Sequence, residues 1–251
     1  MKRKELHNIL FLDIETVSSK PSFESLNPRE QLLWKTKTKS FSRHRKPLIG
    51  NKLKESYLLR AGIYAEFAKI VCITVSYIQT ENDKSDNLRV KSFYGNDEKV
   101  LITQFVKLIN QFYFNPKIHF LSGHNIKEFD VPFLARRMIV NEIRLPKLFQ
   151  ISGKKPWQIN YLIDTLDLWR FGDFKNHTSL DLLANTLGIE SPKSDLDGSQ
   201  VSKVYYQDND LPRIVRYCEK DVQTTVQVLL KLKGLEAIAS NKIESLTDWE
   251  Q

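Results

Sequence analysis

The chain has 251 residues, 41% of them hydrophobic, with 9 Gly and 9 Pro, so it can bury a full core and is neither disordered nor collagen-like. The longest strand-like stretch, Ile70 to Ile78, contains Thr74 and Ser76; no apolar run approaches the roughly 18 residues of a membrane span, which excludes a membrane protein. The only cysteines, Cys72 and Cys218, lie in apolar stretches without a C-x-x-C, which removes zinc ribbons, iron–sulfur sites and a disulfide framework and predicts two reduced core thiols.

The formal net charge is +8, and the segment from Lys35 to Lys54 carries Lys35, Lys37, Lys39, Arg43, Arg45, Lys46, Lys52 and Lys54 with no acid. The rest of the chain is therefore neutral. Charge concentrated in this way points to a polyanionic partner, because local potential steers phosphates and releases counterions. A solvated, mobile loop is the plainer alternative. The N-terminal Met-Lys-Arg-Lys precedes an apolar run, Ile9 to Leu12, that Asp13 interrupts, and no small-residue cleavage site follows. That pattern is not a signal peptide, and a cytoplasmic location is expected. Nothing in the hydropathy separates two cores. One domain is expected over residues 1–251, with the basic insertion at about 18–62.

In chain order, Asn8 to Val17 predicts a buried strand running into Ser18, Ser19 and Pro21. Weak helical signals follow at Arg29 to Trp34 and Leu53 to Ala61. Ile70 to Ile78 and Leu88 to Tyr94 read as a hairpin about the polar turn Glu81 to Asn87. Leu101, Phe105, Leu108 and Phe112 step by helical intervals toward Asn115-Pro116, and a strand is expected at Ile118 to Leu121. Further on come a helix at Val131 to Val140, a short strand at Tyr161 to Ile163 and a helix from Ser179 to Leu187, ended by Gly188. A turn at Asp195 to Ser199 is expected to enter a helix capped by Ser199. The last helix is the clearest: Ile214, Cys218, Val222, Thr225, Leu229 and Leu232 form one stripe between Leu211 and Leu232. This order predicts an α/β domain with a mixed sheet covered on both faces.

Three fragments carry candidate chemistry. Asp13 and Glu15 stand two apart in the first strand, so the strand period puts both carboxylates on one face, opposite Leu12 and Ile14. Two charges inside an apolar strand cost several kcal/mol unless paired or bound to cations; a structural salt bridge is the competing explanation. Asp130 follows Gly123-His124-Asn125 at the head of a helix, where an N-cap role is the simpler assignment. Tyr217 and Asp221 are one helical turn apart, so phenol and carboxylate share a face, as surface packing alone also allows.

Taken in order, D-I-E at Asp13, H-N-x-x-x-F-D at His124 and Y-x-x-x-D at Tyr217 resemble the three motifs of the DEDD superfamily, the ribonuclease H-like 3′–5′ exonucleases. More narrowly, Leu12 to Thr16, Ala61 to Cys72, Ser179 to Ala184 and Asp197 to Val201 resemble bacterial stand-alone exonucleases similar to the proofreading domain of family-B DNA polymerases. The resemblance runs from about residue 8 to 232 and covers the basic insertion least. Position 216 is Arg, so the His of the other subclass is missing, and Tyr217 implies the DEDDy subclass.

The resemblance implies a ribonuclease H-like fold with a mixed five- to six-stranded sheet and helices on both faces. It also implies hydrolysis at the 3′ end of single-stranded DNA with release of nucleoside 5′-monophosphates. Asp13, Glu15, Asp130 and Asp221 would hold two divalent cations, Mg²⁺ or Mn²⁺, hard ions that relieve repulsion among carboxylates. Tyr217 would orient the attacking water, since a phenol of ordinary pKa is a poor base. Thr16, Asn125 and Phe129 are the implied substrate-binding residues. For Phe129 a buried anchor for its helix, and for Asn125 a turn-stabilising role, are equally open. His124 is not expected to be a ligand, and helix capping accounts for Asp164 and Asp181. An exoribonuclease and a non-catalytic nucleic-acid-binding module remain the alternatives.

Overall fold

The computed structural model describes residues 3–41, 43–81, 85–175, 177–190 and 196–249. At its centre lies β1 (Ile9–Ser18), buried on both faces along most of its length. The remaining elements are α1 (Pro28–Lys37), α2 (Gly50–Arg60), β2 (Ala68–Glu81), β3 (Ser85–Tyr94), α3 (Glu98–Phe112), β4 (Phe120–Gly123), α4 (Asp130–Val140), β5 (Leu162–Asp164) and α5 (Thr165–Arg170). They are followed by α6 (Leu180–Thr186), a single turn α7 (Val201–Lys203), a π-helical turn over Val204–Asp208, α8 (Leu211–Leu232) and β6 (Ile243–Ser245). The six strands form one sheet in the order β5-β4-β1-β2-β3-β6. The pairs β1/β2 and β2/β3 are antiparallel; β1/β4, β4/β5 and β3/β6 are parallel.

Strand periodicity divides the side chains of β1 between two cores. Leu10, Leu12 and Ile14 pack with Leu101 and Phe105 of α3 and with Leu134 and Met138 of α4. Ile9 and Phe11 face Val222, Val226 and Leu229 of α8 on the other side. A buried cluster fixes α3 and α4 to the sheet: Glu98 accepts from the backbone of Ile70 (2.8 Å), from Arg137 Nε (2.8 Å) and Nη2 (2.5 Å), and from Asn141 (2.9 Å). Helix α4, whose first residue is Asp130, thus has a fixed station relative to the strands. Removing one partner of such a buried pair costs about 3–5 kcal/mol.

Several sequence expectations shift. The hairpin strands are longer than expected, with Glu81 opposite Ser85; of the expected turn, residues 82–84 lie outside the described residues. Strand β4 begins at Phe120 rather than Ile118, because the Asn115 carbonyl captures the N–H groups of Ile118 and His119 at 3.1 and 2.8 Å. Ser199 is not a cap. Asp197 accepts from the Ser199 N–H (2.8 Å) and Gln200 reciprocates (3.2 Å), forming a 3₁₀ turn over Gly198–Gln200; residues 191–195 lie outside the described residues. Helix α5 and strand β6 are too short to show a period.

The basic insertion is folded rather than a bare loop. Asn27 and Glu30 form a capping box at the head of α1, with Pro28 at the first helical position. Trp34 is fully buried, with the rings of Phe41, Tyr57, Tyr64 and Phe67 at 5.0 to 6.0 Å. Lys37 lies over Tyr64 (4.3 Å) and Arg60 over Phe41 (4.8 Å), so cations cover the outside of an aromatic cluster.

Candidate active site

The ladder between β1 and β4 ends at Phe11 and Ser122. One residue on, the strands are still in close contact: a Cβ on Gly123 would meet Leu12 O at 2.9 Å and Ile126 Cβ at 2.8 Å. Only glycine permits this approach. The N–H of Ile14, left without a β4 acceptor, donates to Asp130 Oδ1 at 3.2 Å, joining residues 116 apart in sequence. Asp130 is therefore not an N-cap, contrary to the simpler assignment. The N-cap position belongs to Phe129, which makes no side-chain cap bond, while Asp130 is 2% exposed and turned to the central strand.

On the α8 face, Asp13 and Glu15 stand side by side as the strand period requires, and each offers a ligand atom within 4.8 Å of the other and of Cys218 Sγ. The Cys218 thiol donates to Asp13 Oδ2 at 3.3 Å. A register shift follows: Glu15 faces Cys72 but Thr16 faces Ile70, which leaves Val71 unmatched in β2. Such a bulge turns the chain and re-aims the side chains beyond it. Asp221 comes from α8 and accepts a hydrogen bond from Tyr217 one turn earlier.

Burial, and then the carboxylates of Asp130 and Asp221, push Asp13 well above the usual carboxylate range; the Cys218 bond opposes this. Glu15 is pushed up by burial, then by Asp13 and Asp221. Asp130 rises to about 7, chiefly through burial and against the bond from Ile14. Asp221 rises to about 6, again by burial first, with Asp181 adding repulsion and the Tyr217 bond opposing it. Asp130 and Asp221 thus bear on Asp13 and Glu15 in the middle of β1, and the strongest influences on Asp13 and Glu15 include no cation. Oxygen donors in excess negative charge fit hard divalent cations, and the excess charge is the kind that such ions remove. Tyr217 is driven far above its ordinary value by burial, then by Asp221 and Glu15, so its phenol keeps its proton and donates.

The three expected substrate-binding residues take separate positions. Thr16 donates to the Gly62 carbonyl (2.7 Å), rooting the return of the insertion beside β1. Asn125 has a left-handed backbone (φ 63) and a buried Oδ1 with no hydrogen-bond partner. Phe129 is half-buried against Phe133, with ring centroids 5.4 Å apart, as an anchor for its helix would be.

Sequence reasoning understated three residues. Asp164 does cap α5, but it also accepts from the N–H groups of Asn125 (2.9 Å) and Lys127 (3.1 Å), shaping the segment that leads to Asp130. In α6 the cap is Ser179, not Asp181, which instead acts on Asp221. Cys218 was legible only as a core thiol, although its place three residues before Asp221 puts it on the same helical face. His124 is a loop fastener, its ring bonded to Thr165 Oγ1 and the Thr178 carbonyl, each at 2.9 Å. Both cysteines are free and buried.

Residues 63–245 match a family described as "Predicted 3'-5' exonuclease related to the exonuclease domain of PolB". No curated protein matches the chain by sequence. Among solved structures, the family B DNA polymerase from the hyperthermophilic archaeon Pyrobaculum calidifontis is similar at 16% identity and a TM-score of 0.50, over 89% of this chain and 24% of the polymerase. The chain thus spans about a quarter of that polymerase. The likeness is one of fold, and the mixed sheet with helices on both faces is ribonuclease H-like. Among the described residues no helix is long and apolar enough to cross a membrane.

Proposed function

Because the chain belongs to the family of predicted 3′–5′ exonucleases related to the exonuclease domain of PolB, we propose that it is a metal-dependent exonuclease acting on single-stranded DNA from the 3′ end. The observation that carries this reading is the convergence on β1 of acids from three elements: Asp13 and Glu15 side by side, Asp130 bonded to the Ile14 N–H between them, and Asp221 of α8 raising the proton affinity of both, with Tyr217 bonded to Asp221. Two cations, Mg²⁺ or Mn²⁺, would be held by these carboxylates, one by Asp13 with Glu15 and Asp221 and the other by Asp13 with Asp130. When bound, such ions supply a water-derived nucleophile near neutral pH and neutralise charge on the phosphate and the departing oxygen.

The protein's own groups do the rest. Tyr217, held by Asp221 and kept protonated, orients the attacking water. The water gives up a proton as its oxygen forms a bond to the phosphorus of the last phosphodiester, and the P–O3′ bond breaks. The departing 3′ oxygen takes up a proton, leaving a shortened chain and a nucleoside 5′-monophosphate. Asn125, with its unpartnered oxygen, and Phe129 and Thr16, near the ends of the same elements, are the proposed contacts to the terminal nucleotides. We take residues 1–251 as one exonuclease domain in the cytoplasm, whose basic insertion meets the upstream backbone. Thr36, Lys37, Lys39, Ser40, Arg43 and Arg45 line an open cavity of about 610 Å³ there, suited to phosphates.

A 5′-labelled oligonucleotide with Mg²⁺ or Mn²⁺ should give a shortening ladder that disappears with chelator and in Asp13→Ala. A competing RNA oligonucleotide in the same reaction tests the sugar preference. Binding without any metal-dependent shortening would refute the catalytic reading.

A further inference from the structure

We infer that Phe171 and Phe174 form a stacking platform for unpaired bases of the polynucleotide entering the carboxylate site, a step that rests on the nuclease reading. Helix α5 ends in two successive left-handed residues, Phe171 (φ 45) and Gly172 (φ 89). Glycine is the usual occupant of that first position, because a Cβ in the left-handed region meets the adjoining carbonyl. Phenylalanine there is strained, and the fold gains nothing in exchange: the side chain is 88% exposed, and Phe174 three residues on is 72% exposed. Strain of this kind, with no return in packing, points to a contact made outside the fold.

Both feet of this loop stand at the candidate site. The parallel strands β4 and β5 finish together at Gly123 and Asp164, just past the Phe11–Ser122 pair and so beside the carboxylates of β1, at the carboxyl ends of strands where ligands of open α/β sheets bind. His124, six residues before Asp130, fastens the start of α5 through Thr165 and the end of the loop through Thr178. Asp181, just beyond, acts on Asp221. Arg170, itself largely buried and paired with Asp167 (3.4 Å) and Glu128 (3.8 Å), the neighbour of Phe129, lies 5.6 Å from the Phe174 ring and steadies it, while Lys175 is the exposed cation beside the rings. Two exposed aromatic faces with one exposed cation beside them suit a strand whose bases are free to stack and whose backbone is anionic. Paired bases present no free face, so the platform selects single strands.

The test uses the whole chain in chelator, with single-stranded DNA carrying 2-aminopurine at successive positions from the 3′ end. Wild type should quench the probe at one or two positions. In Phe171→Ala/Phe174→Ala the quenching should vanish and binding should weaken about tenfold or more. Phe171→Trp/Phe174→Trp should restore both, and Leu at the same positions should not. Phe171→Gly is the decisive variant: it should melt at a higher temperature than wild type, because the strain is relieved, yet bind DNA more weakly. A structural Phe would lose stability and binding together. Equal binding by wild type and the double Ala variant, or full rescue by Leu as expected of a protein-docking patch, overturns the platform. A wild type that shortens oligonucleotides while the double Ala variant binds normally would sink the platform alone. Loss of stacking in the variant, with no shortening by wild type, would sink the nuclease reading alone.

Discussion

Asp130→Asn should make the metal-free protein more stable while ending its activity. Burial carries this carboxyl from 3.8 to about 7, so ionising it in the folded protein costs about 4 kcal/mol more than in the unfolded chain. Between about pH 4 and pH 7 the folded state keeps a proton that the unfolded state has lost, so stability falls as pH rises through that window; above it the full penalty stands. Asparagine is neutral and its oxygen still accepts from Ile14, whose bond to Asp130 is 3.2 Å. The variant should therefore gain about 2–4 kcal/mol near pH 8 and only about 1 kcal/mol near pH 5. Urea unfolding in chelator at the two pH values measures both, and added Mg²⁺ should stabilise wild type far more than the variant. A gain that is the same at both pH values, or a loss near pH 8, would refute the account of Asp130 as a buried charge held for a cation.

Two further outcomes follow from the same geometry. Tyr217→Phe removes the bond that holds the Asp221 carboxyl down, so the acid limb of the pH–rate profile should move to higher pH and kcat should fall about 10- to 100-fold; an unmoved limb would separate Tyr217 from Asp221. Replacing Lys35, Lys37, Lys39, Arg43, Arg45 and Lys46 by Gln should weaken DNA binding and flatten its dependence on salt, with turnover of short substrates retained. An unchanged salt slope would remove the insertion from the binding surface.

Much of this molecule was legible from local pattern. The apolar run of β1, the helical stripe of α8 and the D-x-E spacing are correlations over a few residues, and each element forms within a residue or two of expectation. The pairing of Asp13 with Glu15 needed only the period of a strand. Elements of three to six residues, such as β6 and α5, offered too few positions to reveal a period, and the captured N–H groups of Ile118 and His119 displaced the start of β4.

What the chain determines by itself is which side chains share a face or a segment: two carboxylates on one strand, a phenol and a carboxylate on one helix turn, and eight cations in a segment that contains no acid. Tertiary structure decided that Asp130 serves β1 instead of capping its own helix, that Cys218 faces Asp13 and that the basic segment folds over Trp34. It also decided that a strained phenylalanine stands exposed at the end of α5. Facing within an element follows from dihedral periodicity, whereas proton affinity and strain depend on desolvation and on charges brought near from distant parts of the chain.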